Sequence, residues 1–165
     1  MSLTIRPARD GDYDTIGRIT VEAYLHGGYF ETADHPYLLQ IRDAAHRAEH
    51  ALIWVAERGN RIIASVTLAK AGERYAEVAY EDELEFRMLV VDPEVQRSGA
   101  GRALVEAILG HARGLEGVNA VSLSTGKTWE SAHALYRALN FTRVPERDWN
   151  VPGTSIELVV YRYAV

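Results

Sequence analysis

The segment that most constrains the fold is Val90-Val91-Asp92-Pro93-Glu94-Val95-Gln96-Arg97-Ser98-Gly99-Ala100-Gly101-Arg102. It runs from an apolar strand, through a glycine-bearing loop, into a helix whose buried stripe is marked by Ala103, Leu104, Ala107, Ile108 and His111. Glycines at 99 and 101 remove the Cβ atoms that would hold a ligand off the backbone. The first turn of the helix leaves its N–H groups without intrahelical partners and points the positive end of its dipole outward. A phosphate or pyrophosphate would satisfy those donors, and Arg97 and Arg102 bracket the turn with guanidinium groups able to add charge-assisted bonds.

The loop lacks the Gly-Lys-Ser/Thr of a P-loop, and Leu104 stands where a dinucleotide fingerprint needs its third glycine. What fits is Gln/Arg-x-x-Gly-x-Gly/Ala after a strand and a proline, filled by Gln96, Gly99 and Gly101 with Pro93 upstream. On these residues the chain resembles the GNAT superfamily of acyl-CoA-dependent N-acetyltransferases, and the likeness in element order spans nearly its whole length. The resemblance implies an α/β (α+β) fold with a mixed, mostly antiparallel sheet of about seven strands and helices on both faces. It implies that acetyl-CoA is the co-substrate, with no metal. It also assigns cofactor binding to the strand backbone at Leu89, Val90 and Val91 and to the loop residues Gln96, Arg97, Ser98, Gly99, Ala100, Gly101 and Arg102.

With 165 residues the chain is expected to form one domain spanning 1–165. No apolar run approaches the ~20 residues of a membrane span, and no apolar leader opens the chain, so a membrane partner and secretion are not expected. The absence of cysteine removes disulfides, thiolate metal sites and a cysteine nucleophile, and agrees with a cytoplasmic address. A net charge of -5 argues against nucleic acid and favours a cationic substrate.

Along the chain, Leu3–Arg6 alternates as a strand, and Ile16, Ile19, Ala23 and Tyr24 recur at helical spacing up to His26-Gly27-Gly28. Residues 27–36 read as a loop, and Leu38, Ile41, Ala45 and Ala48 predict one helix over Tyr37–Glu49. Leu52–Glu57 and Ile62–Ala69 form a hairpin across Arg58-Gly59-Asn60-Arg61, and Glu83–Val91 is the strand feeding the loop. Further strands are expected at Val118–Ser124, Phe141–Arg147 and Ile156–Tyr163, with a turn around Trp149–Gly153. Ala132, Leu135, Tyr136 and Leu139 mark a short helix closed by Asn140 at a position that takes φ > 0. The apolar run Leu158-Val159-Val160-Tyr161 could pair across a homodimer.

Acyl transfer to an amine needs a neutral amine, a polarised carbonyl and a proton for the leaving thiolate. A free lysine amine is neutral only about once in 2,500 molecules at pH 7, so a base matters most for lysine-like acceptors. Period-2 alternation sets Glu83, Glu85 and Arg87 on one face of their strand and Leu84, Phe86, Met88 and Val90 on the other. The resemblance places a general-base carboxylate at Glu85; the plain alternative is a solvated face on which Glu83 and Glu85 pair with Arg87. It likewise makes Tyr136, in Ala132-x-x-x-Tyr136-x-x-x-Asn140-Phe141, the donor to the departing sulfur, against the alternative of a core aromatic. Trp129 stands where the family commonly has an asparagine, and Ser124 where the branch acting on ribosomal-protein N-termini carries a glutamate. The six histidines show no metal-ligand spacing with a third ligand, and the pair His46 and His50 reads as a solvated helix face. Two functions follow. One is an enzyme that acetylates a primary amine by direct attack in a ternary complex; the other is a non-catalytic acyl-CoA-binding or sensing module of the same fold. The acceptor amine has no signature of its own, although the acidic run Glu73, Glu77, Glu81, Asp82 and Glu83 would attract a cation.

Overall fold

The structure is a computed structural model that describes every residue except Met1, Tyr29 and Gln96. Its backbone groups into two compact units, Met1–Leu68 with Met88–Ile108, and Ala69–Arg87 with Leu109–Val165. No helix among the described residues is long and apolar enough to cross a membrane.

The first unit contains β1 (Leu3–Pro7), α1 (Tyr13–His26), α2 (Pro36–Arg42), α3 (Ala44–His50), β2 (Leu52–Arg58) and most of β3 (Arg61–Lys70). It also holds the end of β4 (Glu83–Val91) and the start of α4 (Ala100–Arg113). β1, β2 and β3 are antiparallel, with Ile5 opposite Ala56 and Ala56 opposite Ala64. The β2–β3 hairpin turns on Gly59, whose φ of 62° is the left-handed value a two-residue turn asks of that position. Ile16 and Ile19, three apart on α1, pack with Ala44, Ile53, Val55, Ile62 and Val90. Both isoleucines are wholly buried, each contributing about 2–3 kcal/mol by area. Gly17 lets α1 and α2 meet, because a Cβ there would lie 2.4 Å from the Arg42 carbonyl oxygen.

The single helix expected over Tyr37–Glu49 is two helices. The chain leaves helical geometry at Asp43 (φ -76°, ψ 78°), whose carboxylate accepts the His46 N–H at 3.0 Å and caps α3. The break shifts the phase of the buried stripe, so Ala44 and Arg47 are buried where Ala45 and Ala48 were expected. Apolar spacing alone could not show this, since the observed phase buries an arginine, Arg47, which an apolar pattern assigns to the surface.

The second unit holds the start of β4, β5 (Ala120–Gly126), α5 (Glu130–Ala138), β6 (Thr142–Arg143), β7 (Trp149–Asn150) and β8 (Glu157–Ala164). β4 runs parallel to β5 from Glu83 opposite Ala120 to Phe86 opposite Leu123, and β5 is antiparallel to β8. The strand expected over Phe141–Arg147 is only two residues long, because Pro145 starts a 3-10 turn. The expected turn at Trp149–Asn150 is instead a short strand on β8. β8 is therefore bonded to β5 on one edge and to β6 and β7 on the other, so Leu158–Tyr161 offers no open edge for strand pairing across a dimer. The strands make a mixed, mostly antiparallel sheet with accompanying helices, as expected.

In register, Glu85, Ser122, Arg162 and Thr142 lie side by side and share one face, while Phe86, Leu123 and Tyr161 share the other. The second unit thus has a polar sheet face and an aromatic one. Neither is exposed to water along β4, where residues 83–86 are all buried.

Candidate active site

The strand-loop-helix segment belongs to the first unit. Asp92, just past β4, is wholly buried. Its N–H donates to the Ile63 carbonyl at 2.8 Å, its Oδ1 accepts the Glu94 N–H at 3.0 Å, and its Oδ2 meets Arg61 at 3.0 Å. Burial alone would raise the Asp92 pKa, but the amide and the guanidinium outweigh it and hold it below the ordinary value. The entrance to the loop is therefore fixed as an ionised, bonded carboxylate.

Beyond it, Arg97 (φ 63°) and Gly99 (φ 81°) are left-handed on either side of Ser98. Such alternation folds a segment into a concave turn that gathers successive N–H groups. An added Cβ at Gly99 would meet nothing within 4 Å, so what glycine supplies there is its φ and not relief from crowding. Arg58 on β2 donates to the Ser98 carbonyl at 3.2 Å, and Ser98 Oγ accepts the Ala100 N–H at 3.3 Å. The first α4 bond runs from Ala103 N–H to the Gly99 carbonyl at 3.0 Å, so the N–H groups of Gly99, Gly101 and Arg102 have no partner inside the helix. Arg97 is exposed, while Arg102 is tied to Glu106 at 2.7 Å. Of the strand residues, Val90 is buried in the first unit's core and Leu89 and Val91 are half-buried. Gln96 lies outside the described residues.

Glu83, Glu85 and Arg87 do share a face of β4, but that face is not solvated: Glu83 is 1% and Glu85 0% exposed. Glu83 accepts from Arg147 at 2.8 Å, Arg162 at 2.7 Å and the Tyr80 N–H at 3.1 Å. Burial pushes its pKa up, yet these donors win and bring it down to about 2. Glu85 uses only one oxygen. Its Oε1 accepts the N–H groups of Glu77, Val78 and Ala79 at 2.8, 2.8 and 3.0 Å, while its Oε2 is buried without a hydrogen-bond partner. Here burial prevails over the three amides and raises the pKa. Ser122 Oγ, on the register neighbour of Glu85, is also buried and unpartnered. Arg87 donates to the Tyr75 carbonyl at 3.2 Å, and the Arg147 guanidinium sits 3.9 Å from the Tyr80 ring centroid while also donating to the Val78 carbonyl. Segment 75–80 is thereby fastened over the polar face.

Tyr136 on α5 is 3% exposed and packs on the aromatic face, the face of the sheet opposite to the one that carries Glu85, its ring centroid 6.0 Å from Phe86, 5.7 Å from Phe141 and 5.5 Å from Tyr161. The helix ends just after it. Asn140 takes φ 68° as expected, and the paired bonds Asn140 N–H to Arg137 carbonyl and Phe141 N–H to Tyr136 carbonyl, both 3.0 Å, close a Schellman motif. Burial, then the neighbouring Tyr161, raises the Tyr136 pKa, so its phenol carries its proton throughout the neutral range.

The profile of the acetyltransferase (GNAT) family matches residues 15–141, more than half of the chain. The chain belongs to that family. It is similar to human N-acetyltransferase 8, 33% identical over 90 residues, a match covering 54% of this chain and 38% of that protein. The chain thus aligns with well under half of that relative's length. Among solved structures, an N-acetyltransferase from Staphylococcus aureus Mu50 superposes with a TM-score of 0.74 at 17% identity, covering 99% of both chains. The Salmonella typhimurium protein yncA, solved with its cofactor acetyl-CoA, gives 0.71 at 19% identity, covering 99% of this chain and 94% of that one. The Escherichia coli ribosomal-protein-S18-alanine N-acetyltransferase gives 0.69 at 19%, with the same coverage.

Several residues of this GNAT chain that shape the site were not singled out in the sequence. Asp92 had a local signal, an aspartate between a strand end and Pro93 that can bond the backbone two residues on. Arg58, forty residues from Ser98, had none, nor did Arg147 and Arg162, which reach Glu83 from 64 and 79 residues away. Trp129 immediately precedes α5 and makes no side-chain cap. Ser124 is half-buried on β5.

Proposed function

We propose that this chain is an acetyl-CoA-dependent N-acetyltransferase that acts on a primary amine by direct attack in a ternary complex. The observation that carries the proposal is Glu85: a wholly buried carboxylate with one unpartnered oxygen, on the strand whose other end opens into the anion cradle. A carboxylate whose pKa burial raises and that keeps one oxygen free is a stronger proton acceptor than an ordinary carboxylate. The Salmonella neighbour's acetyl-CoA and the name of the human relative support the choice of donor and of nitrogen as the acceptor atom.

In this reading the N–H groups of Gly99, Gly101 and Arg102, with Arg97, hold the coenzyme pyrophosphate, and the backbone of Leu89–Val91 lies along the pantetheine arm. Glu85 Oε2 takes a proton from the ammonium group of the acceptor. Ser122 Oγ beside it supplies a second polar atom for a bridging water, which would satisfy two otherwise orphaned groups. The neutral amine attacks the thioester carbonyl, the C–N bond forms, the C–S bond breaks, the Tyr136 hydroxyl gives its proton to the thiolate, the extra proton of the acylated nitrogen passes to the Tyr136 oxygen, and Glu85 releases its own proton to solvent. No covalent intermediate on the protein is needed. The exposed carboxylates Glu77 on the covering segment and Glu73 and Glu81 flanking it favour a cationic acceptor; Glu83 leaves that set because its charge is consumed by two arginines.

The test is thiol release from acetyl-CoA over a panel of polyamines, aminoglycosides and lysine-containing peptides, with wild type and Glu85→Gln. Turnover with at least one amine, lowered in the variant, supports the reading. Coenzyme binding with no turnover on any amine would favour the sensing module instead.

A further inference from the structure

α3 brings together side chains that the sequence alone did not mark as a set. His46 and His50, one helical turn apart, have ring centroids 5.0 Å from each other at an interplanar angle of 56°. Glu49 joins them from the same turn. One ligand atom from each of the three lies within 4.8 Å of the others, the only such group of three found among the described residues.

We propose that His46, Glu49 and His50 bind a divalent transition-metal ion of the zinc class on the outer face of α3. Two imidazoles and a carboxylate are the donor set such ions prefer, with metal–ligand distances of ~2.0–2.2 Å. Donors around one tetrahedral ion lie ~3.4 Å apart, so the three side chains need to close by little more than ~1 Å. Side-chain torsions on a helix surface supply that without backbone movement.

The element that presents them is held from behind. Arg47, between the ligands in sequence, is wholly buried and donates to Thr67 Oγ1 at 3.0 Å and to the Ile41 carbonyl at 2.6 Å. Asp43 caps the helix through the His46 N–H. Ala44 packs in the first unit's core. The ligands therefore sit on a helix whose opposite side is fixed, and water completes the coordination shell. Three donors from one turn give an affinity below that of closed four-ligand sites, with Kd on the order of 10 µM. Because the set exists only while α3 is formed, binding stabilises the folded chain by linkage.

The test is calorimetric titration of the full chain with ZnCl2 in a non-chelating buffer, paired with thermal melts with and without the ion. It compares wild type with His46→Ala, Glu49→Gln and His50→Ala, and circular dichroism verifies that each variant is folded. The expected result is one ion per chain, a melting temperature raised by zinc, and affinity reduced at least about 10-fold in either histidine variant. No binding up to 1 mM ZnCl2 (~100-fold above the expected Kd) would overturn the proposal. So would binding that both folded histidine variants retain, which would place the ion on other histidines. Neither result bears on acetyl transfer.

Discussion

Glu85 divides two tasks between its two oxygens. Oε1 fastens three consecutive amides of the covering segment, and Oε2 is left without a partner, the atom to which the proposed function gives the role of base. A glutamine keeps an acceptor for the amides while losing the base, so Glu85→Gln is expected to fold normally and lose about 10²- to 10⁴-fold in kcat. The pH profile gives a second check. Burial raises the Glu85 pKa, so kcat/KM should rise with pH through a limb above the ordinary carboxylate range as the group ionises. That limb should vanish in Glu85→Gln. Tyr136→Phe should lower kcat by about 10- to 1,000-fold with coenzyme affinity little changed, since the ring stays in its aromatic cluster and only the proton is lost. An unaltered kcat would remove Tyr136 from the mechanism. Alternation along the strand was enough to set Glu85 apart from Phe86. Its burial was not legible, because the segment that covers it has no periodicity and is recruited by the glutamates themselves.

At the scale of elements, the strand-loop-helix segment was readable because its signals are local: an apolar strand, a proline, two glycines and an amphipathic helix. What holds it open was not, since Arg58 and Arg61 arrive from a hairpin distant in sequence. Gly99→Ala forces a Cβ into a left-handed conformation at a strain of about 1 kcal/mol, and acetyl-CoA affinity should fall about 5-fold or more as the loop relaxes. Titration calorimetry measures this directly, and unchanged affinity would mean the turn geometry is not used. The division between α2 and α3 escaped apolar spacing because a single aspartate decides it. Asp43→Ala should lower stability in urea denaturation by about 1 kcal/mol through loss of the cap on α3.

Across the whole chain, mixed strand and helix order conveyed the fold class, while the shortest strands were lost to Pro145 and to pairing with β8 that only the folded chain reveals. Glu83 is a buried carboxylate committed to two arginines, Arg147 and Arg162. Its pKa is lowered from 4.5 to about 2, so its contribution is complete above pH 4.5 and is lost as pH falls toward 2. Glu83→Gln, which leaves two guanidinium groups without their carboxylate, should destabilise the chain by about 3 kcal/mol at neutral pH and flatten the acid limb of its stability curve. The central claim is that the loop from Asp92 to Arg102 is a coenzyme cradle, and calorimetric titration of the wild-type chain with acetyl-CoA tests it most directly. Stoichiometric binding in the micromolar range, weakened in Gly99→Ala, is the predicted result. No detectable binding by the folded wild type would contradict the account and leave only the fold.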